Sequence, residues 1–232
     1  MARRRASSVN PHRAAIYYAP ELDDPLHDAA SAWLGRDAVS GKARAQPGLP
    51  EVEAITAEPR GYGFHATLKP PFRLAQGYEA LLAETRRWAS TMAPFELPPL
   101  SVQDLKGFLA LRETETCPPL HALADSAVEA LDAHRTPPTE EELARRRKAK
   151  LSAAHEELLG RWGYPYVMGE WQFHMTLTRR LTPEERDIYR PAAEAHFAGI
   201  AGVPRKVEAV CVYTQAAPGA PFLIGERIRL GG

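Results

Sequence analysis

Two pentads carry the residues best suited to chemistry: Phe64-His65-Ala66-Thr67-Leu68 and Phe173-His174-Met175-Thr176-Leu177. An imidazole takes or gives a proton near neutral pH, and a threonine hydroxyl donates to a developing oxyanion. In an extended strand residues i and i+2 point to one face. His65 and Thr67 then share a face, as do His174 and Thr176, while the apolar residues around them point into a core. Two such pairs suit phosphodiester cleavage. One imidazole deprotonates the attacking oxygen, the other protonates the leaving oxygen, and the hydroxyls hold the non-bridging oxygens. This chemistry calls for no metal and no cofactor, and the chain has no His-x-His-x-Asp cluster and no Asp-rich loop.

With 8 histidines in 232 residues, chance gives about 0.4 bare His-x-Thr matches, and roughly 0.035 once three apolar partners are required. A third match, His134-Arg135-Thr136, stands before Pro137 without apolar flanks and is set aside. Two flanked copies therefore call for a functional reading over hydrogen-bonded structural histidines. Which histidine is base and which acid is open at this stage.

Other residues are candidates for the same site, each with a packing role as the competing reading. Lys69 lies two residues beyond Thr67 and adds positive charge there, or snorkels to water as a strand-end lysine. Thr178 shares the second face. Tyr17 or Tyr18 borders a cleft from the first strand, and Tyr62 can stack on a base or sugar. The run Arg145-Arg146-Arg147-Lys148 can grip phosphate. Glu141 and Glu142 stand four residues before Arg145 and Arg146, however, and such pairs favour a solvated face.

The elements that must position these residues read as follows. A strand is expected over 13–19, then a helix over 25–34 with Asp24 as N-cap, Pro25 at N1 and Gly35 as its stop. Residues 36–63 lack periodicity and read as a long surface loop, expected to overhang the site and to be mobile. Phe64 to Lys69 alternates as a strand ended by Pro70-Pro71. A helix over 78–92 and a hairpin of 100–105 and 108–112 about Lys106-Gly107 follow. A helix over 120–133 comes next, and a capping box at Thr139 opens another to about Trp162. Then come a strand over 172–178, a helix from Thr182 to about Phe197, and strands over 206–214 and 222–230. The order strand, helix, strand, strand thus follows each pentad, which marks a duplicated half.

Composition bounds the function. Basic and acidic side chains balance at 29 each, and 44% of residues are hydrophobic. Bulk electrostatic attraction to nucleic acid or an anionic membrane is excluded, so an anionic ligand must be caught locally. Cys117 and Cys211 are too few for a disulfide framework or structural zinc site. No apolar run reaches the roughly 18 residues of a membrane span. The basic start lacks the apolar stretch of a signal peptide, and residues 1–12 are expected to form a flexible basic tail. A cytoplasmic monomer is expected, with 13–232 as one bilobal unit. Gly61-x-Gly63 is too short for a dinucleotide fingerprint, and neither a Walker loop nor a Gly-x-Ser-x-Gly elbow occurs.

Two apolar-flanked His-x-Thr motifs about a hundred residues apart resemble the 2H phosphoesterase superfamily. This superfamily includes RNA 2′,5′-ligase-like proteins and cyclic phosphodiesterases. Tyr17-Tyr18-Ala19-Pro20, Tyr62 to Lys69 and Trp162-Gly163-Tyr164-Pro165-Tyr166 resemble a bacterial branch associated with phosphonate-utilisation operons. The resemblance implies an α+β fold of two pseudo-twofold-related antiparallel sheets about a central cleft, with helices outside. It also implies metal-independent hydrolysis of a small cyclic phosphate or 2′,5′-type phosphodiester, such as a phosphoribosyl cyclic phosphate. An RNA-end-processing enzyme is the alternative, which would need a basic, aromatic-lined track; nucleic acid is the less favoured partner. A non-catalytic nucleotide or phosphosugar sensor is the other.

Overall fold

Nine strands and seven helices form over residues 10–231, the part of the chain that the computed structural model describes. Residues 1–9 of the expected basic tail lie outside the described residues. In chain order the elements are β1 (Arg13–Tyr18), α1 (Pro25–Leu34), α2 (Val52–Tyr62), β2 (Ala66–Phe72), α3 (Tyr78–Ala89), β3 (Phe95–Leu97), β4 (Leu100–Leu105) and β5 (Phe108–Glu113). They continue with α4 (Pro118–Ala130), α5 (Glu140–Arg147), α6 (Ala153–Trp162), β6 (Met175–Arg180), α7 (Pro183–His196), β7 (Arg205–Val207), β8 (Ala209–Gln215) and β9 (Phe222–Arg229). None of the described helices is long and apolar enough to cross a membrane.

Local chemistry sets the boundaries. Asp24 Oδ1 accepts from Leu26 N at 2.8 Å, and Gly35 at φ 78° closes α1. Capping boxes at Thr139–Glu142 and Thr182–Glu185 open α5 and α7. Lys106 and Gly107 both take positive φ, as a two-residue hairpin twisted like its strands demands.

The order repeats with one short strand more than expected in each copy: α3, β3, β4 and β5 follow β2, and α7, β7, β8 and β9 follow β6. A seven-stranded sheet runs β4-β5-β6-β2-β1-β8-β9, antiparallel throughout, and β3 pairs with β7 separately. The β4–β5 hairpin of the first copy pairs with β6 of the second, while β8–β9 of the second joins β1 and, through it, β2. The two expected sheets are therefore two limbs of one sheet, joined edge to edge where β2 meets β6. The fold is α+β.

Alternation along β1 divides the interior. Ala14, Ile16 and Tyr18 enter the main core with Leu26, Trp33, Ile55, Leu81 and Leu120 from the helices. Ala15 and Tyr17 face the other way, into a smaller cluster with Tyr213 and Phe222. Helices thus cover one face of the sheet, and the other is left for a cleft.

Several boundaries depart from expectation. β2 and β6 begin at Ala66 and Met175, so His65 and His174 stand just before their strands, and the strand expected over 206–214 is two, β7 and β8. Residues 36–63 are not a free loop, because α2 occupies 52–62 and buries Val52, Ile55 and Thr56. Arg36 Nε donates to Arg60 O and Arg60 Nε to Leu34 O, at 2.8 and 2.7 Å. Those bonds tie the two ends of the segment to each other and to the end of α1. Strand β2 runs through Pro70-Pro71 to Phe72, since beyond Ala66 it has only β1 as a partner and an edge tolerates missing donors. The single helix expected from Thr139 to Trp162 is two, broken where Lys150 turns to φ 50° and restarted by Ser152 as N-cap.

Candidate active site

β2 and β6 meet at the first residue of each, Ala66 opposite Met175, and run apart from there in opposite directions. Extending that antiparallel register by one residue sets His65 opposite Thr176 and Thr67 opposite His174. Facing side chains on one face of such a pair lie about 4.5–5.5 Å apart and diagonal ones about 7–8 Å. The two rings and two hydroxyls therefore converge from the two motifs on one side of the sheet. All four line one cleft of about 580 Å³. The flanking Phe64, Ala66, Leu68, Phe173, Met175 and Leu177 are buried on the opposite side, as the alternation predicts.

The backbone of each motif is pinned in a matched way. Tyr213 Oη donates to Phe64 O at 3.1 Å, and Arg112 Nε to Phe173 O at 3.2 Å. The indoles of Trp171 and Trp33 donate to Thr67 O and Leu177 O, at 2.8 and 3.0 Å. Each histidine uses Nδ1 on the carbonyl two residues before it: His65 on Gly63 O and His174 on Gln172 O, both at 2.8 Å. A carbonyl only accepts, so Nδ1 carries the hydrogen and Nε2 keeps its lone pair for a ligand. Thr56, Thr85 and Thr178 spend their hydroxyls on backbone groups. Thr67 and Thr176 make no hydroxyl hydrogen bond among the described residues, which leaves both free to donate into the cleft.

Burial lowers the affinity of both rings for a second proton. Loss of hydration, with His174 nearby, pushes His65 down to about 4 against the hydrogen bond to Gly63. Its ring lies stacked on Tyr17, centroids 3.8 Å apart. His174 is lowered by burial first, with the Arg112 charge adding to it. Unfolding restores the ordinary value of about 6.5, so the unfolded chain binds more protons below that pH. Stability from the neutral His65 is complete above pH 6.5 and drains away toward pH 4. Melting temperatures measured from pH 7 to 4.5 should fall more steeply for the wild type than for His65→Gln. Parallel curves would show that the ring is not held neutral.

The further candidates divide. Tyr17 and Tyr62 line the cleft, with Tyr62 6.1 Å from His65. Tyr18 does not, because strand alternation sends it into the main core. Thr178 lines the cleft, but its Oγ1 accepts from Leu109 N at 3.0 Å where the β5–β6 register slips, so it completes the ladder. Lys69 is a correction. One step on β1, Ile16 to Tyr17, spans two on β2, Lys69 to Thr67, and this bulge turns Lys69 to the core face. There Nζ, 2% exposed, donates to Val128 O at 3.0 Å and pairs with Asp132 at 3.2 Å.

Arg145 and Arg146 depart only in part from the solvated-face reading: both line the cleft, Arg146 half-buried and Arg145 exposed. The expected pairs with Glu141 and Glu142 do not form: Glu142 binds Arg73 at 3.1 Å, outside the cleft. Tyr164, Arg13, Arg179 and Arg180 also line it, and Glu58 is the carboxylate among the lining residues. Five arginines line the cleft against one glutamate, and although Glu185 pairs with Arg179 at 2.8 Å the lining stays positive in a chain of zero net charge. A smaller pocket of about 250 Å³ adjoins at Thr67 and His174, walled by Phe108, Tyr164, Tyr166 and Trp171. The Trp162–Tyr166 segment was the available signal for it. The sequence also holds one His-Asp dipeptide, His27-Asp28, and it stands apart from the cleft. His27 lies 3.6 Å from Asp37, and Asp28 binds Arg44. Among the described residues no three His, Cys, Asp or Glu side chains gather as a metal site.

Residues 67–223 match a family described as a protein of unknown function, DUF1045. A protein of Janthinobacterium sp. (strain Marseille) named ribose 1,5-bisphosphate phosphokinase PhnN is 41% identical over 239 residues, covering 98% of this chain and 53% of that protein. Its namesake in Laribacter hongkongensis (strain HLHK9) is 36% identical over 215 residues, covering 90% and 50%. The chain spans about half the length of these curated relatives. Among solved structures, E. coli LigT complexed with NADP+ is similar at 14% identity with a TM-score of 0.45, over 97% of this chain and all of that one. A structure described as a phosphoesterase is similar at 13% identity with a TM-score of 0.43, over 96% and 99%.

Proposed function

The chain belongs to the DUF1045 family, and we propose that its cleft is a phosphodiesterase site that opens a small cyclic phosphate by acid–base catalysis. The carrying observation is the crossed pair of motifs, with both rings held through Nδ1, so that Nε2 is left for a ligand, and two uncommitted hydroxyls lining the same cleft. His65, held neutral by burial and stacked on Tyr17, takes a proton from the attacking water. The water oxygen bonds to phosphorus, and the bond to the leaving ester oxygen breaks. His174 gives that oxygen its proton, so a monoester and a free hydroxyl result. Thr67 and Thr176 donate to the non-bridging oxygens, whose charge grows on the way.

The names of the relatives support a phosphorylated ribose as the substrate class, and the resemblance to the phosphonate-operon branch points to phosphonate metabolism. Opening the cyclic phosphate of a phosphoribosyl compound yields a ribose bisphosphate, the class that those names assign to a kinase. This chain has no Gly-x-x-x-x-Gly-Lys-Ser/Thr loop and spans about half of those proteins, so the kinase name carries no activity over to it. One observation favours a second reading. The aromatic pocket beside His174 suits a nucleobase, as a 2′,3′-cyclic phosphate at an RNA end would present. Relative kcat/KM on ribosyl and nucleoside cyclic phosphates separates the two.

The protonation states make a test. In the free protein His65 must be neutral, above about pH 4, while His174 must be protonated, below a value itself under 6.5. The profile of kcat/KM should be a bell with its maximum between these limits. A bound phosphate anion raises both values, so the kcat profile should peak at higher pH. A kcat/KM profile that climbs through pH 8 with no falling limb would contradict the paired roles.

A further inference from the structure

Charges on α5 are divided between its two sides. Arg147 faces out and is neutralised by Glu156 at 3.0 Å, and Glu142 is taken by Arg73. Arg145 and Arg146 line the cleft, and neither lies within 4.0 Å of a carboxylate among the described residues. Arg146 is half-buried with its guanidinium 4.5 Å from the centre of the Tyr164 ring. Two of the other cleft arginines are already engaged: Arg179 by Glu185 at 2.8 Å and Arg13 by Gln215 at 2.8 Å. A partly dehydrated guanidinium such as that of Arg146, with no carboxylate paired to it, is costly, and an anionic ligand group offsets that cost. The cleft of about 580 Å³ extends from the two motifs to Arg145, Arg146 and Tyr164, so it has room for a ligand group beyond the phosphodiester.

We propose that Arg145 and Arg146 form a second anion site in the cleft, one that holds a terminal phosphate monoester of the same substrate. The ligand class is then a sugar or nucleoside bearing two phosphates, one in the diester at the histidines and one free at α5. Tyr164, beneath Arg146, sets the guanidinium plane that meets the monoester oxygens. The proposal rests on the phosphodiesterase reading for its catalytic half and on the arginine geometry alone for its binding half.

The test compares adenosine 2′,3′-cyclic phosphate with the same compound carrying a 5′-phosphate. The 5′-phosphate should raise kcat/KM about 10–100-fold in the wild type, and Arg145→Ala/Arg146→Ala should bring that ratio close to one. Alanine is the best helix former, so α5 should persist in the variant. Lys148→Ala removes a like charge beside α5 outside the cleft lining. A ratio lost equally in Lys148→Ala would mean a diffuse field and overturn the site. Calorimetric titration with ribose 5-phosphate adds a measure free of turnover. Its Kd should rise at least tenfold in the double-arginine variant. Turnover of cyclic phosphates with an unchanged ratio would sink the second site and leave the phosphodiesterase reading standing. Arginine-dependent binding of ribose 5-phosphate without any diester turnover would do the reverse.

Discussion

Replacing His65 or His174 with alanine should lower turnover of a cyclic phosphate by about 10²–10⁴, the range for loss of one general acid or base. Both imidazoles present Nε2 to the same space, so either loss leaves one half of the proton transfer undone. The double variant should be little worse than the single ones, because groups that act as a unit do not contribute additively. Substrate affinity should change far less than turnover, since the proton transfers belong to the transition state. Thr67→Val or Thr176→Val should cost less, about 10–10³, as an oxyanion donor is lost while both proton carriers remain. A binding protein without catalysis would show the opposite pattern, with affinity lost and no turnover to lose.

The second large effect should come from a residue that touches no ligand. Gly63 sits at φ 79° and ψ 172°, a conformation open almost only to glycine, and its carbonyl fixes the His65 tautomer. An added Cβ would lie 2.5 Å from the Ala38 Cβ. Gly63→Ala should therefore destabilise the fold by roughly 2–5 kcal/mol, from backbone strain and overpacking together. Turnover should fall as well, because the strained carbonyl no longer holds Nδ1 in place. Adding Ala38→Gly should relieve the clash but not the strain, restoring part of the melting temperature. A Gly63→Ala protein with wild-type stability and rate would show that the carbonyl is not a positioning group.

The cleft-facing sides of the two motifs were legible because strand alternation is a local rule. Once Phe64 to Leu68 is extended, the faces of His65 and Thr67 follow, and the same holds for the second pentad. Hairpin and capping chemistry was legible for the same reason: Lys106-Gly107, Asp24-Pro25 and Thr182–Glu185 act within a few residues. What failed depends on distant partners. The bulge that turns Lys69 into the core is set by pairing with β1, which the β2 sequence does not contain. Arg145 and Arg146 looked like solvated helix charges because Glu141 and Glu142 precede them. Arg73 claims Glu142 from across the fold, and that cannot be read along α5. Helix α2 was hidden by Pro59 and by Glu51, which starts it from φ 49° without a side-chain cap.

Phosphorus NMR of the protein with a panel of cyclic phosphates and 2′,5′- and 3′,5′-linked dinucleotides, in the presence of EDTA, tests the central claim most directly. The expected result is replacement of one cyclic-phosphate resonance by that of a monoester, undiminished by the chelator and absent with His65→Ala/His174→Ala. Full turnover by the double variant, or turnover abolished by EDTA and restored by zinc or manganese, would contradict acid–base catalysis by the two histidines.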